Sequence, residues 1–257
     1  FEETGGMICN TCGAFPNGLL ALQWINNWNE NETIHQVKQH LEGSEITMAT
    51  STRIRSNNQS INHSAALAIE EVIDESLPLY KDEAKSACLY LQNRGINISE
   101  YPGVLLYHPK LPYHSSNDEV TYHPALLGEI EKDGVVISLM RIFITNDGHK
   151  AHVETQKKMM TPRFKGATNG AAIQLYYPSS HLAVAEGIET AFAVFTSVHT
   201  PTWATVNTNG MKTLEVPRHV KRIDIWVDKD RNKAGEKAAH ILAKRMHGED
   251  KEVRMMI

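Results

Sequence analysis

Three cysteines in 257 residues are too few for a disulfide framework. Cys9 and Cys12 form a C-x-x-C pair, and Cys88 stands alone. No apolar run approaches the roughly 18 residues of a membrane span, and no signal-peptide pattern opens the sequence. These absences predict a reducing, cytoplasmic setting and no membrane partner. A strong charge excess is missing too: 26 basic side chains face 30 acidic ones, a net charge of −4. That excludes a small, uniformly basic nucleic-acid coat protein, while leaving room for a local basic channel. A hydrophobic share of 41% and a charged share of 22% exclude a coiled coil, a collagen or a disordered tail. The length allows one large domain or two small ones, with a proper core. The sequence starts at Phe1 without Met and stops at Ile257 after an apolar run, so a fragment of a longer protein is expected.

Turn residues dominate the first fifteen positions. From Asn17 the spacing of Leu19, Leu20, Leu22, Ile25 and Trp28 predicts a helix capped by Asn17, and a second covers Glu32 to Leu41. Residues 43–62 are polar and read as a linker between a unit at 1–42 and one at 63–178. Helices are expected at Ser64–Ser76 and at Asp82–Arg94, the latter capped by Asp82 and ended by Gly95. The period then changes. Leu126–Glu131, Val135–Thr145 and Lys150–Val153 are β-rich runs separated by Asp133-Gly134 and Asp147-Gly148, which predicts an antiparallel meander. From residue 179 the rhythm is β-α-β: strands at 182–185, 202–206, 222–227 and 252–257, with helices at 188–198, 209–214 and 234–247. Short apolar strands alternating with helices predict a parallel sheet with right-handed crossovers.

Ligands collect outside the carboxyl ends of parallel strands, and two of these strands end in acid. Ala183-Val184-Ala185 runs into Glu186-Gly187, and Ile223–Val227 runs into Asp228-Lys229-Asp230. If the strands are neighbours, three carboxylates converge on one edge. Such a cluster calls for a divalent cation, and oxygen-only ligands favour Mg²⁺ or Mn²⁺. Each motif alone could equally be a solvated turn or a charge at a helix start.

Glu186-Gly187-Ile188-Glu189-Thr190-Ala191, followed some forty residues later by Asp228-x-Asp230 and Ala234-Gly235, resembles a TOPRIM domain. Over the wider chain the similarity is to primases of the phage- and plasmid-encoded, bacterial DnaG-like type. Cys9-x-x-Cys12-Gly13 resembles half of the primase zinc ribbon. The segment from Tyr107-His108-Pro109 through Pro124–Leu127, the Arg141 strand and Lys157-Lys158-Met159-Met160 resemble the half-catalytic subdomain that precedes TOPRIM. The resemblance implies a Rossmann-like parallel sheet preceded by a mixed α+β subdomain, and a DNA primase that copies single-stranded DNA into short RNA primers. It implies that Glu186, Asp228 and Asp230 are the metal-binding catalytic acids, with Glu189 a supporting contact or an ordinary helix-start charge. It also implies nucleoside triphosphates as substrates and a replicative helicase as a possible partner.

Residues 141–165 supply the opposite charge: six basic side chains stand against Asp147 and Glu154. That suits a template strand or a triphosphate, although a solvated basic face has the same composition. The resemblance points to Arg141, Lys157 and Lys158 as phosphate contacts; Arg53 and Arg55 are weaker candidates. The zinc expectation is partial. A tetrahedral structural zinc draws on two ligand pairs, and only Cys9 and Cys12 are in view, since His35 and His40 fall in an expected helix. His108, His114, His123, His149 and His152 match no zincin spacing and read as packing or capping groups; Cys88 reads as a small core residue. Three other functions remain: a TOPRIM nuclease or topoisomerase, a DNA-binding module with a degenerate site, and a phosphatase using Asp228-x-Asp230. The last normally opens its fold with that motif, whereas here it lies near the end.

Overall fold

The computed structural model describes residues 7–9, 13–15, 18–26, 33, 36–37, 62–228 and 233–256. The chain falls into two compact units, Phe1–Asn57 and Asn58–Ile257. In the first, strands β1 (Met7–Cys9) and β2 (Gly13–Phe15) pair antiparallel, with Cys9 opposite Gly13. Helix α1 (Gly18–Asn26) follows. Of its expected apolar face, Leu19, Leu22 and Ile25 are exposed, while Ala21 beside them is buried. Cys12, Trp28, most of the second expected helix with His35 and His40, linker residues 43–61 with Arg53 and Arg55, and Asp230 lie outside the described residues.

The second unit opens with helix α2 (His63–Asp74), whose N-cap Asn62 accepts a hydrogen bond from the Ala65 N–H. Ala65, Ala66 and Ile69 form its buried face. Strand β3 (Leu77–Pro78) and a 3₁₀ turn at Asp82–Ala84 lead into helix α3 (Lys85–Asn93). Asp82 therefore does not cap an α-helix; it begins the tighter turn, and Ala84 is buried behind it. The C-terminus ends as expected, with Gly95 at φ +78° and the Ile96 N–H closing back to the Leu91 carbonyl.

The antiparallel sheet has order β3-β4-β5-β6-β7, with β4 at Leu105–His114, β5 at Val120–Lys132, β6 at Val135–Phe143 and β7 at Lys157–Met159. Alternation along these strands makes two apolar faces. Leu126, Ile130 and Ile142 pack with α3 through Ala87, Tyr90 and Leu91. Leu111, Leu127, Leu139 and Phe143 pack with Ile69 of α2. The expected meander is corrected in one place. The strand that pairs with β6 is Lys157–Met159, not Lys150–Val153, which contributes an isolated bridge between Ile144 and Lys150. The reason lies at the second Asp-Gly. Asn93 Nδ2 donates to the carbonyls of Asp147 and Gly148 at 3.3 and 3.0 Å. Gly148 has φ +77°, and a Cβ there would stand 2.6 Å from the Leu89 backbone. This turn docks on α3 and closes only a short hairpin, in which the Thr145 N–H donates to the His149 carbonyl and the Ala151 N–H to that of Phe143.

The parallel sheet has order β11-β10-β8-β9: β8 is His181–Ala185, β9 Thr202–Ala204, β10 Arg222–Trp226 and β11 Glu252–Met256. Helix α4 (Ile188–Val198) follows β8 and packs on β8 and β9. Helices α5 (Thr208–Thr213) and α6 (Ala234–His247) follow β9 and β10. Leu182, Val184, Ile223 and Ile225 meet Met211, Leu214, Ala239 and Leu242 on one side. Backbone pairing ties the two sheets together. Glu131 of β5 exchanges hydrogen bonds with Ala172, and Ile173 exchanges them with Ala204 of β9. Gly128 permits the approach: a Cβ there would meet Ile173 Cδ1 at 2.7 Å and Ile188 Cδ1 at 2.9 Å. Among the described residues no helix is long and apolar enough to cross a membrane.

Candidate functional site

Register brings the two acidic strand ends together. β8 and β10 are parallel neighbours, with Ala183 opposite Asp224 and Val184 opposite Ile225. Glu186 and Asp228, which follow these strands directly, therefore emerge on the same edge. The Val206 N–H donates to the Glu186 carbonyl at 2.8 Å and the Thr205 N–H to that of Ala185 at 2.9 Å, which clamps the turn from the β9 side. Gly187 caps α4, and Thr190 Oγ1 donates to Asp228 Oδ1 at 3.4 Å. Glu186 is half-buried and Asp228 exposed. Both line one cavity of about 170 Å³, with Glu189 and Lys157 beside them and Met140 and Ile173 among its apolar walls.

The donor set is oxygen-only, as a hard divalent cation prefers. Glu186 and Asp228 can hold such an ion from adjacent strands; the third expected acid, Asp230, lies outside the described residues. Among the described residues no group of three or more His, Cys, Asp or Glu side chains is arranged to hold a metal.

Glu189 is engaged differently. Tyr90 Oη donates to its Oε1 at 2.6 Å, and Lys157 Nζ donates to its Oε2 at 2.9 Å while lying 2.8 Å from Oε1. Burial disfavours the charge of this carboxylate, but the Lys157 ammonium and the hydrogen bonds from Lys157 and Tyr90 outweigh it and hold its pKa below the ordinary range. Burial, then the nearby Glu189 charge, push the Tyr90 phenol far above its usual value, so it remains a donor. Tyr90 was not singled out in the sequence. It is 99 positions from Glu189, and the two meet because their helices contribute to one core cluster, Tyr90 and Leu91 with Ile188, Ala191 and Phe192.

The three expected phosphate contacts do not form one row. Lys158 stands opposite Arg141 in the β6–β7 register, and Lys157 stands opposite Ile142. Residues directly opposite share a face and successive residues alternate. Lys157 therefore faces the acidic cavity, while Arg141 and Lys158 lie on the other side. The Arg141 guanidinium donates to the carbonyls of Lys158 and Met159 at 3.3 and 3.4 Å, and burial lowers its pKa. It lines a second cavity of about 310 Å³ with Asn62, Ser64, Ala68 and Thr161. Lys158 Nζ donates to the His114 carbonyl at 2.9 Å and sits 4.3 Å above the Tyr113 ring. Arg163 is tied to Glu70 and the Val136 carbonyl.

The remaining expectations are quickly placed. Buried His108 accepts from the Lys110 N–H on Nδ1 and meets Glu75 through Nε2, a packing and capping role. The Cys88 thiol donates to the Leu79 carbonyl at the core edge, and burial raises its pKa. Cys9 lies on β1.

Comparison with known proteins places this geometry in context. Residues 63–170 match a domain of unknown function, DUF7146, and residues 181–257 match the Toprim domain. No curated protein matches the chain. The fold is that of primase catalytic cores. One similar structure is the DnaG catalytic core, with 15% identity, a TM-score of 0.51, and coverage of 76% of this chain and 70% of that one. Another is the Aquifex aeolicus primase, zinc binding and RNA polymerase domains, with 15% identity, a TM-score of 0.50, and coverage of 97% and 66%. The chain thus spans about two thirds of the length of these solved structures. Its C-terminal segment matches the Toprim domain and follows an antiparallel half, the arrangement of fold seen in these two structures.

Proposed function

We propose that this protein is a DNA primase that joins ribonucleotides into short primers on a single-stranded DNA template. One observation carries the reading: Glu186 and Asp228 stand at the carboxyl ends of adjacent parallel strands and line one cavity with Lys157. Acids and a cation in one cavity suit a nucleoside triphosphate, whose phosphates need both a metal and a fixed positive charge. Glu186 and Asp228, with Asp230, hold Mg²⁺ or Mn²⁺. Such a cation, held by these carboxylates, would supply Lewis-acid activation of a hydroxyl nucleophile and stabilisation of charge on the leaving phosphates. Lys157 takes triphosphate oxygens, and Arg141 and Lys158 serve the template strand on the opposite face. Cys9 and Cys12 contribute half of a structural zinc site in the first unit. Domain limits near residues 62 and 179 follow from this reading, and a replicative helicase is its natural partner.

The test is incorporation of labelled NTPs on single-stranded templates of varied sequence with Mg²⁺ or Mn²⁺. Template-dependent oligoribonucleotides are expected. Template binding without incorporation would point to a non-catalytic DNA-binding module, and cleavage of the template to a nuclease.

A further inference from the structure

The bond between Tyr90 and Glu189 joins the two halves of the molecule at the edge of the acidic cavity. Tyr90 is 1% exposed, with the Arg94 guanidinium 5.5 Å from its ring centre. The Glu189 side chain is 17% exposed and that of Lys157 40%. The carboxylate is thus pinned from the interior by a phenol and from outside by an ammonium. Both its oxygens are engaged by these two partners. Burial, then the Lys157 and Arg94 charges, lower the pKa of the neighbouring Lys150, which Glu189 partly offsets. Glu186 and Asp228 line the same cavity.

We propose that Tyr90 is a positioning residue of this site: through Glu189 it fixes the Lys157 ammonium at the cavity, where that cation binds the phosphates of a ribonucleoside triphosphate. The identity of the ligand rests on the function proposed above; the linkage itself rests on the geometry. A lysine side chain samples many rotamers, and a counter-ion that holds it in place removes that entropic cost from ligand binding. Glu189 can do so only if its own carboxylate is kept from turning, and the buried phenol supplies that restraint from a helix packed in the core. Glu189 therefore acts as the lysine's counter-ion and not as a ligand of the cation held by Glu186 and Asp228.

The experiment uses the full chain with Tyr90→Phe, Glu189→Gln, Lys157→Ala and the double variant Tyr90→Phe/Lys157→Ala. Equilibrium binding of ATP with Mg²⁺, binding of Mn²⁺ alone by paramagnetic resonance, and thermal melting are measured on each. Tyr90→Phe keeps the ring in the core and removes one hydrogen bond. It should weaken ATP binding about three- to tenfold and leave Mn²⁺ affinity within about twofold. Glu189→Gln should reproduce that pattern, and it keeps the test decisive if Tyr90→Phe melts early. The double variant should bind ATP no more weakly than Lys157→Ala alone, because Tyr90 acts through the lysine. Additive losses would mean that Tyr90 merely packs, and would overturn the proposal. A tenfold or greater loss of Mn²⁺ affinity in Glu189→Gln would make this carboxylate a metal ligand and overturn it too. Unchanged ATP affinity in Tyr90→Phe has the same consequence even if primer synthesis is robust. Conversely, a protein that makes no primers but shows the full pattern retains the linkage and loses the primase reading. Failure of the wild type to bind ATP overturns both.

Discussion

The two sheets of the second unit carry their functional groups by opposite rules. The parallel sheet presents them at strand ends: Glu186 follows β8, Asp228 follows β10, and the register of the two strands alone sets both acids on one edge. The antiparallel sheet presents them on its faces, so neighbours in sequence are divided. Lys157 turns to Glu189 and the acidic cavity, while Lys158 turns to Tyr113 and the His114 carbonyl beside Arg141. A row of basic residues in the sequence therefore becomes two separate positive sites. The comparison also shows where charge is compensated. Glu189 has two side-chain donors, whereas the side chains of Arg141 and Lys158 donate to backbone carbonyls.

The largest effect should come from the strand-end acids. Asp228→Asn keeps the shape of the side chain and removes its charge, so primer synthesis should fall by about two orders of magnitude or more, measured as NTP incorporation. Melting and template affinity should stay near those of the wild type, because Asp228 is exposed. Full activity in that variant would take the acidic edge out of the chemistry. Next in size is the turn that docks on α3. Gly148→Ala forces a side chain into a positive-φ position and against the Leu89 backbone. It should cost roughly 2–4 kcal/mol of stability, read from denaturant unfolding, and a cost below 0.5 kcal/mol, a margin set by ordinary surface substitutions at about that size, would show that the turn yields easily.

The two lysines test the division of faces directly. Lys157→Ala should weaken ATP binding about tenfold, as expected for a charged hydrogen bond, and leave the salt dependence of single-stranded DNA binding alone. Lys158→Ala should lower the log–log salt slope by about 0.7 and spare ATP binding. Equal effects of both changes on both ligands would dissolve the distinction between the faces. The smallest effect concerns pH. The pKa of Glu189 is lower in the folded protein than in the unfolded chain, where it is about 4.3. Its stabilisation is therefore complete above that range and fades as the pH falls through the folded value. The melting temperature of the wild type should exceed that of Glu189→Gln by about a few degrees at pH 7, a gap expected of interactions worth about 1 kcal/mol. That gap should close on acidification below about pH 4.

The C-terminal half was the more legible part of the sequence. Strands bounded by acids and helices followed one another at close spacing, and their observed limits differ from the expected ones by a residue or two. The helix at 234–247 matches to the residue. The preceding half was harder, for a physical reason. β4 contains Pro109 and Pro112 and a register shift between His108 and Leu111, so its alternation is broken. The short strand β7 has no apolar pattern at all. It exists because Ile142, Arg141 and Met140 of β6 offer it an edge. Asp147-Gly148 has the composition of a hairpin turn and closes one only at Ile144–Lys150, where Asn93 on α3 also binds it. Competition between local turn preference and a distant partner leaves no trace in a short window of sequence.

Composition, the acidic ends of two apolar runs and their β-α-β spacing were enough to determine a parallel sheet with carboxylates at its edge, since a strand's end and the residue that follows it are local properties. Which basic residue would line the same cavity as those carboxylates was not local. It depended on strand pairing, which assigns Lys157 and Lys158 to opposite faces, and on the packing of α3, which carries Tyr90 across 99 positions to Glu189. Periodicity records only which side of an element faces the core. The partner found there is settled when the elements close on one another, and in this protein that closure turned a helix-start glutamate into the link between a buried tyrosine and the lysine of the site.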